Sequence, residues 1–526
     1  LTSVAQNEWV EARTEAGRLR GIRFHGVESF LGIPYGDTTA GDGRFAPPRP
    51  APHWDGVRDA LAFGDAGPQV DTRLGSRASA QDVQEFMYVK GGHPLDGARM
   101  SEDCLNLNVW TPSSSDGAGR PVMVWFHGGG FEHGSAGSAL YHGDRLAKLG
   151  DVVVVTVNAR LGLLGFLGLD QLDSGFDGAG NAGVLDLVAA LEWVRDNIRS
   201  FGGDPGNVTV FGQSGGGGKV MTLFGMPRAR GLFHKAINMS GPVTRLASAA
   251  DAAQKTREVL AGAGVDAADA ARMRALPLHD LLEVQRRLSG ALGAAFGMGD
   301  GAAAPLQLGW GPVVDGVHVT EHPFDEVAAS GADGVPLLVG VTSHDPALLM
   351  AGSAEFASLS HERAVELAQA NFGPEAVAIL DELRAAHADE PARLRYARVV
   401  NEMTFRATSQ TIIELAARRD APVYAYEFAQ PTDILGGLLG ACHSLDLAYV
   451  FVNADRSAFT GTDPSRGEVS RRMALSWAAF ARTGSPQHPD VPDWPAYTAG
   501  SPVSMRIAEE WALEPVQAPA VAGVRG

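Results

Sequence analysis

The stretch FGQSGGGGKV (Phe211–Val220) holds one serine, four consecutive glycines and a lysine. Two chemistries compete for it. A glycine run ending in lysine can cradle a phosphate, but a P-loop needs Gly-x4-Gly-Lys-Ser/Thr, with the last hydroxyl on Mg²⁺. If Gly218-Lys219 were its end, Gln213 would stand in place of the first glycine and Val220 in place of the hydroxyl. The phosphate reading therefore fails at two defining positions. The other chemistry is Gly-x-Ser-x-Gly, Gly212 to Gly216, the single match in the chain. Among 65 glycines a chance match carries little weight, so context decides. NVTVF (207–211) has the pattern of a strand, and KVMTLFGM (219–226) is compatible with a helix. Strand, turn and helix in that order expose a serine hydroxyl on a sharp turn. The helix start adds free N–H groups and the positive end of a dipole.

Further apolar runs extend this unit into a sheet. PVMVWFH (121–127), VVVVTVN (152–158), NVTVFG (207–212), PLLVG (336–340) and VYAYEFA (423–429) lack polar alternation, as strands of a parallel sheet covered on both faces do. Between them, DLVAALEWVRDNIRSF (186–201) places Leu187, Leu191, Val194, Ile198 and Phe201 at helical spacing on one apolar face. Strands alternating with helices predict an α/β fold around a large, mostly parallel sheet. No linker interrupts the pattern, which predicts one domain over 1–526. Residues 245–310 and 350–420 are expected to be helical insertions that cover a pocket. TPSSSDGAGR (111–120) is a surface loop. No repeat of 20 to 50 residues is present, and the chain after about Ala508 has no clear pattern.

The net charge of −18 and a pI of about 5.3 argue against a nucleic-acid partner, because an acidic surface repels phosphate backbones. No apolar run reaches membrane-spanning length. Leu1-Thr-Ser-Val-Ala-Gln shows no basic segment followed by an apolar one, which leaves the compartment open. The two cysteines, Cys104 and Cys442, are too few for a disulfide scaffold or a structural zinc site. No metal and no cofactor is expected, and the oligomeric state is left open.

A serine hydroxyl needs a base, the base needs an orienting acid, and the oxyanion needs N–H donors. HGGGF (127–131) directly follows the strand PVMVWF and has the form of a glycine loop that supplies such donors.

At this point the chain resembles the type-B carboxylesterase and cholinesterase-like branch of the α/β-hydrolases. The resemblance is carried by FLGIPYG (30–36), RFAPPRP (44–50), SEDCLNLNVWTP (101–112), HGGGF, NARLGLLGFL (158–167), FGGDPGNVTVFGQSGGG (201–217), GPVVDG (311–316) and GACHSLDLAYVF (440–451). It implies an α/β-hydrolase fold and a serine carboxylesterase acting on small-molecule esters, with carbamates or amides as the alternative bond. A catalytically inactive, adhesion-type binding module is the remaining alternative, disfavoured because the serine and the histidine are both kept. By resemblance Ser214 is the nucleophile and His443 the base. Asp345, after PLLVG, is the acid, with Asp315 in a structural turn and Asp446 as a local cap or surface group for alternatives. Gly129, Gly130 and Gly215 would donate to the oxyanion. Phe131, Trp310 and residues within 286–309 and 350–405 would wall the pocket; His127, the one rival to His443 as base, stands before the glycine loop, a place that suits a pocket wall better.

The chain departs from the family pattern in four places. Gln213 replaces the usual glutamate, and Gly215 the usual alanine. Lys219 stands where a small residue is usual, and is expected to be buried or half-buried against a carboxylate. AGPQV (66–70) lacks the upstream cysteine of secreted animal members, which leaves Cys104 unpaired. The resemblance also implies two scaffold ion pairs, Arg44 with Glu102 and Arg160 with Asp186.

Overall fold

The valine-rich runs are strands, and they lie side by side in one sheet. The computed structural model of the protein describes residues 8–70, 99–241, 246–288, 309–323, 325 and 334–516. In chain order the sheet takes β1 (Glu8–Arg13), β2 (Arg18–Phe24), β3 (Val27–Pro34), β4 (Val57–Asp59), β5 (Asn106–Thr111), β6 (Arg120–Phe126), β7 (Val153–Val157), β8 (Gly203–Gln213), β9 (Lys235–Met239), β10 (Leu337–Thr342), β11 (Val423–Phe428), β12 (Val503–Ile507) and β13 (Ala512–Pro515). Their spatial order is β1-β2-β3-β5-β7-β6-β8-β9-β10-β11-β12-β13, with β4 beside β2. The run from β7 to β12 is parallel. Antiparallel pairs extend it at both edges.

Alternation along each strand sends side chains into two apolar layers. Val122, Val124 and Phe126 join Val153, Val155, Val208 and Val210 on one face. Met123 and Trp125 join Val154, Phe211 and Ile237 on the other. Helices Ala182–Asn197 and Gly215–Phe224 cover the first face, and helix Arg466–Thr483 the second. Each fully buried Val, Leu or Phe contributes roughly 1.5–3 kcal/mol relative to exposure.

Helix Ala182–Asn197 is buried over most of its surface, not on one face alone, and it buries Asp186. The charge is tolerated because Arg160 meets it with two N–H groups, at 2.8 and 2.6 Å. Arg44 grips Glu102 in the same way, at 2.7 and 2.6 Å. Both implied ion pairs are present.

Between β9 and β10 lie helices Ala249–Gly262 and Leu278–Leu288. Between β10 and β11 lie helices from Asp345–Met350 to Phe405–Ala416. Residues 289–308, including most of the expected pocket segment 286–309, are outside the described residues. The tail after Ala508 forms an edge strand, β13, despite its lack of pattern. All four of its residues are exposed, so backbone pairing with β12 defines it, not burial. Among the described residues no helix is long and apolar enough to cross a membrane.

Candidate active site

β8 ends at Gln213 and the next helix begins at Gly215, which leaves Ser214 alone in the turn. Its backbone is forced to φ +57°, ψ −127°, a region non-glycine residues rarely adopt. Its N–H donates to Met239 O (2.9 Å), and its C=O accepts from Gly218 N–H (3.0 Å). The neighbouring strand β6 and the helix approach so closely that a Cβ on Gly216 would lie 2.0 Å from Phe126 O. Ser214 stays half-buried between fully buried neighbours, so its hydroxyl is reachable.

Asp345 opens the helix after β10, and His443 sits in the loop after β11. They meet with His443 Nδ1 2.5 Å from Asp345 Oδ1. The other carboxylate oxygen accepts from Ser240 Oγ and from Thr342 N–H, both at 2.9 Å. Asp345 has no exposed surface and His443 only 6%. A carboxylate accepting Nδ1–H leaves Nε2 as the free ring nitrogen. Gln213 Nε2 lies 3.1 Å from His443 Nε2 and 3.3 Å from Nδ1. Gln213 Oε1 accepts from Ser444 Oγ at 3.1 Å. Among the described residues no hydrogen bond joins Ser214 Oγ to His443; the residue before the serine makes the contact.

Neither alternative acid contacts His443 among the described residues. Asp315 accepts from the N–H groups of Val317, His318 and Val319 and from Asn181, a turn-stabilising role. Asp446 is not the surface group or simple cap expected of it. It is fully buried, 3.5 Å from Tyr426 OH. Burial first, and then the charge of Asp345, push its carboxyl up to about 8.

The glycine loop turns back on itself, because Gly129 O accepts from Glu132 N–H and His133 N–H, both at 3.0 Å. That turn needs φ +92° at Gly129. The loop abuts the helix start: a Cβ on Gly215 would lie 2.6 Å from Gly130 N. The structure thus brings Gly129, Gly130 and Gly215 together. The N–H groups of Gly129 and Gly130 make no hydrogen bond among the described residues, and Gly215 N–H belongs to the free first turn of its helix.

Lys219 departs from expectation. It is buried as foreseen, yet among the described residues no carboxylate pairs with it. Its ammonium donates to His127 O at 2.9 Å and lies 5.7 Å from the Phe131 ring centre. Burial pushes its pKa down to about 7. His127 is buried, and burial together with Lys219 holds its pKa well below the ordinary value. Phe131 is fully buried, edge-on to Phe166 at 5.4 Å. Trp310 packs beneath the Lys255 ammonium at 4.0 Å. Phe405, the last residue of the range expected to wall the pocket, has its ring centre 5.1 Å from that of His443. Ser240 and Thr342 were not foreseen; nothing in their sequence context points to a carboxylate across the fold.

A family model for the carboxylesterase family matches residues 7–518. The chain belongs to the carboxylesterase family. It is a carboxylic ester hydrolase of the type-B branch, with the α/β-hydrolase fold. Phenmedipham hydrolase from Pseudarthrobacter oxydans is 33% identical over 507 residues, 95% of each chain. Para-nitrobenzyl esterase from Bacillus subtilis (strain 168) is 32% identical over 512 residues, again 95% of each. Among solved structures, carboxylesterase EST55 from Geobacillus stearothermophilus superposes with a TM-score of 0.79 at 34% identity, covering 96% of this chain and 97% of that one.

Proposed function

We propose that this carboxylesterase cleaves small-molecule esters through an acyl-enzyme on Ser214, with His443 as base and Asp345 as its orienting acid. The observation that carries the reading is the buried 2.5 Å contact between His443 and Asp345 beside the half-buried serine turn. Asp345 fixes the tautomer with the proton on Nδ1, so Nε2 takes the proton of Ser214 Oγ as the hydroxyl attacks the carbonyl. Among the described residues Ser214 Oγ makes no hydrogen bond to His443; catalytic hydrogen bonds of this kind tighten in the Michaelis complex. The tetrahedral oxyanion takes N–H donors from Gly129, Gly130 and Gly215. His443 then protonates the departing alcohol, and water activated by the same nitrogen releases the acid. The helical insertions wall the pocket, with Phe405 against the base, and the chain acts as one domain.

A carbamate is the second bond to consider, because phenmedipham hydrolase is among the similar proteins. The same groups attack that carbonyl. An organophosphonate should label Ser214 once per chain and abolish turnover, and Ser214→Ala should lower kcat by roughly 10⁴–10⁶. Label on another serine, or turnover surviving Ser214→Ala, overturns the assignment. A panel of nitrophenyl esters, nitrophenyl carbamates and anilides then separates ester from carbamate or amide preference.

A further inference from the structure

His344, the residue before Asp345, is tied to the loop that carries His443. Its N–H donates to Ala441 O at 2.9 Å. Ala441 N–H returns to Nδ1 of its ring at 3.1 Å. His344 and Cys442 stand opposite each other in a parallel bridge, so the two loops are joined one residue before each of their functional side chains. The ring is buried, and its Nε2 lies 2.9 Å from Glu390 Oε1. Gly440 packs so tightly that a Cβ there would lie 2.8 Å from Nδ1.

These partners fix the chemistry of the ring. A backbone N–H can only donate, so Nδ1 is unprotonated and accepts. Glu390 accepts, so Nε2 carries the proton. Glu390 is itself gripped by Arg398 Nε, 3.1 Å from each carboxylate oxygen. Burial alone would raise its pKa, but the His344 hydrogen bond and the Arg398 charge outweigh burial and hold it at about 2. Arg398 also lies 3.6 Å from Glu427 on β11, which accepts from Ser343 Oγ and pairs with Arg406. An ion-pair chain from two helices and a strand thus orients one imidazole.

We propose that His344 is a positioning residue: its ring fixes the register between the Asp345 loop and the His443 loop, and so sets the 2.5 Å contact between acid and base. The proposal rests on the assignment of Asp345 and His443 to those roles. A space-filling histidine would be replaceable by any side chain of similar volume, whereas a register clamp needs an acceptor where Nδ1 stands.

Asparagine and glutamine separate the two. In His344→Asn, the side-chain oxygen falls near the Nδ1 position and still accepts from Ala441. In His344→Gln, the amide reaches Glu390 and the Ala441 acceptor is lost. The expected result is a kcat within about fivefold of wild type for His344→Asn. For His344→Gln a loss of about 10²-fold is expected, with KM changed less than about threefold, the scale of a misplaced catalytic group. Equal activity in the two variants, or losses that merely follow the unfolded fraction, overturns the proposal. A measurement on the wild type decides even if neither variant folds. In ¹⁵N-histidine protein, the shifts of His344 should report a proton on Nε2 and none on Nδ1; a proton on Nδ1 overturns the clamp. Asp345→Asn and His443→Ala serve as controls. If these stay active, the acid and base are wrongly assigned; if they are dead while the Asn and Gln variants match, only the clamp fails.

Discussion

Lys219 reaches the carbonyl of His127 at 2.9 Å from a fully buried position, with no carboxylate beside it among the described residues. A charge held this way carries a desolvation cost that one carbonyl only partly offsets. Burial lowers its pKa from an ordinary 10.5 to about 7. The folded state then binds fewer protons than the unfolded state between those values, so this group makes stability rise with pH from about 7 to 10.5. In Lys219→Met that rise should disappear, and the variant should be more stable than wild type at pH 6 by roughly 1–3 kcal/mol, a discounted fraction of the linkage energy. Urea unfolding of both proteins at pH 6, 8 and 10 measures it. Identical pH slopes would show that the lysine keeps its ordinary pKa.

Asp446 and Asp345 are both fully buried carboxyls, and among the described residues only Asp345 contacts His443. Asp345→Asn should lower kcat by about 10⁴, the scale expected when the orienting carboxylate loses its charge. Asp446→Asn should leave turnover at pH 7 within about threefold, because a carboxyl with its pKa raised to about 8 is already mostly neutral there. Its stability effect has the opposite sign to that of Lys219. The folded carboxyl keeps a proton that the unfolded one releases, so stability falls as pH rises from about 4 to 8. That fall should be missing in Asp446→Asn. A collapse of turnover in Asp446→Asn, with Asp345→Asn active, would exchange the roles.

How far the sequence discloses this site follows from how local each feature is. The Ser214 turn lies between a strand and a helix contiguous in sequence, so its geometry is written in ten residues. The apolar runs of β6, β7, β8, β10 and β11 announce strands buried on both faces. β5 does not, because Asn106, Asn108 and Thr111 interrupt it; Asn108 is satisfied by Thr156 Oγ1 at 2.9 Å on the neighbouring strand, a partner invisible along the chain. Ser240 is hidden in the same way, since its partner Asp345 is 105 residues distant. Lys219 departs from its sequence expectation because the usual partner of a buried lysine is a carboxylate, whereas here a backbone carbonyl serves.

Cys104 and Cys442 are both free and buried. Burial raises both thiol pKa values, and the charges of Asp186 at Cys104 and Asp345 at Cys442 add to it. Thiolate is the reactive form, so the native protein should resist modification. A thiol reagent at pH 8 should titrate none of the two groups within minutes, and both once the chain is unfolded in denaturant without reductant. Rapid labelling of Cys442 in the native state would mean that the loop around His443 opens.

Gly215 faces the glycine loop more closely than a side chain allows. A Cβ there would lie 2.6 Å from Gly130 N, 2.9 Å from Gly130 Cα and 3.0 Å from Phe131 N. All three are backbone atoms, so no side chain can swing aside. Alanine, which the family pattern usually carries here, therefore displaces the loop in this chain. The N–H of residue 215 survives the substitution, but the N–H groups of Gly129 and Gly130, proposed above as oxyanion donors, move away from it. Since oxyanion donors act chiefly on the transition state, Gly215→Ala should lower kcat by about 10-fold, less than removal of a donor, with KM changed less than about twofold. Overpacking should also reduce stability by about 1–3 kcal/mol. Gly467→Ala is the control, because Gly467 lies in helix Arg466–Thr483 and an added Cβ meets nothing within 4 Å. It should leave kcat unchanged and stabilise the protein by up to about 1 kcal/mol through helix propensity. Affinity for a trifluoromethyl ketone, which forms the tetrahedral adduct, should fall in Gly215→Ala in step with kcat. If kcat and that affinity both stay within twofold of wild type, the loop yields without moving its donors, and the tight approach of Gly215 has no part in holding the oxyanion.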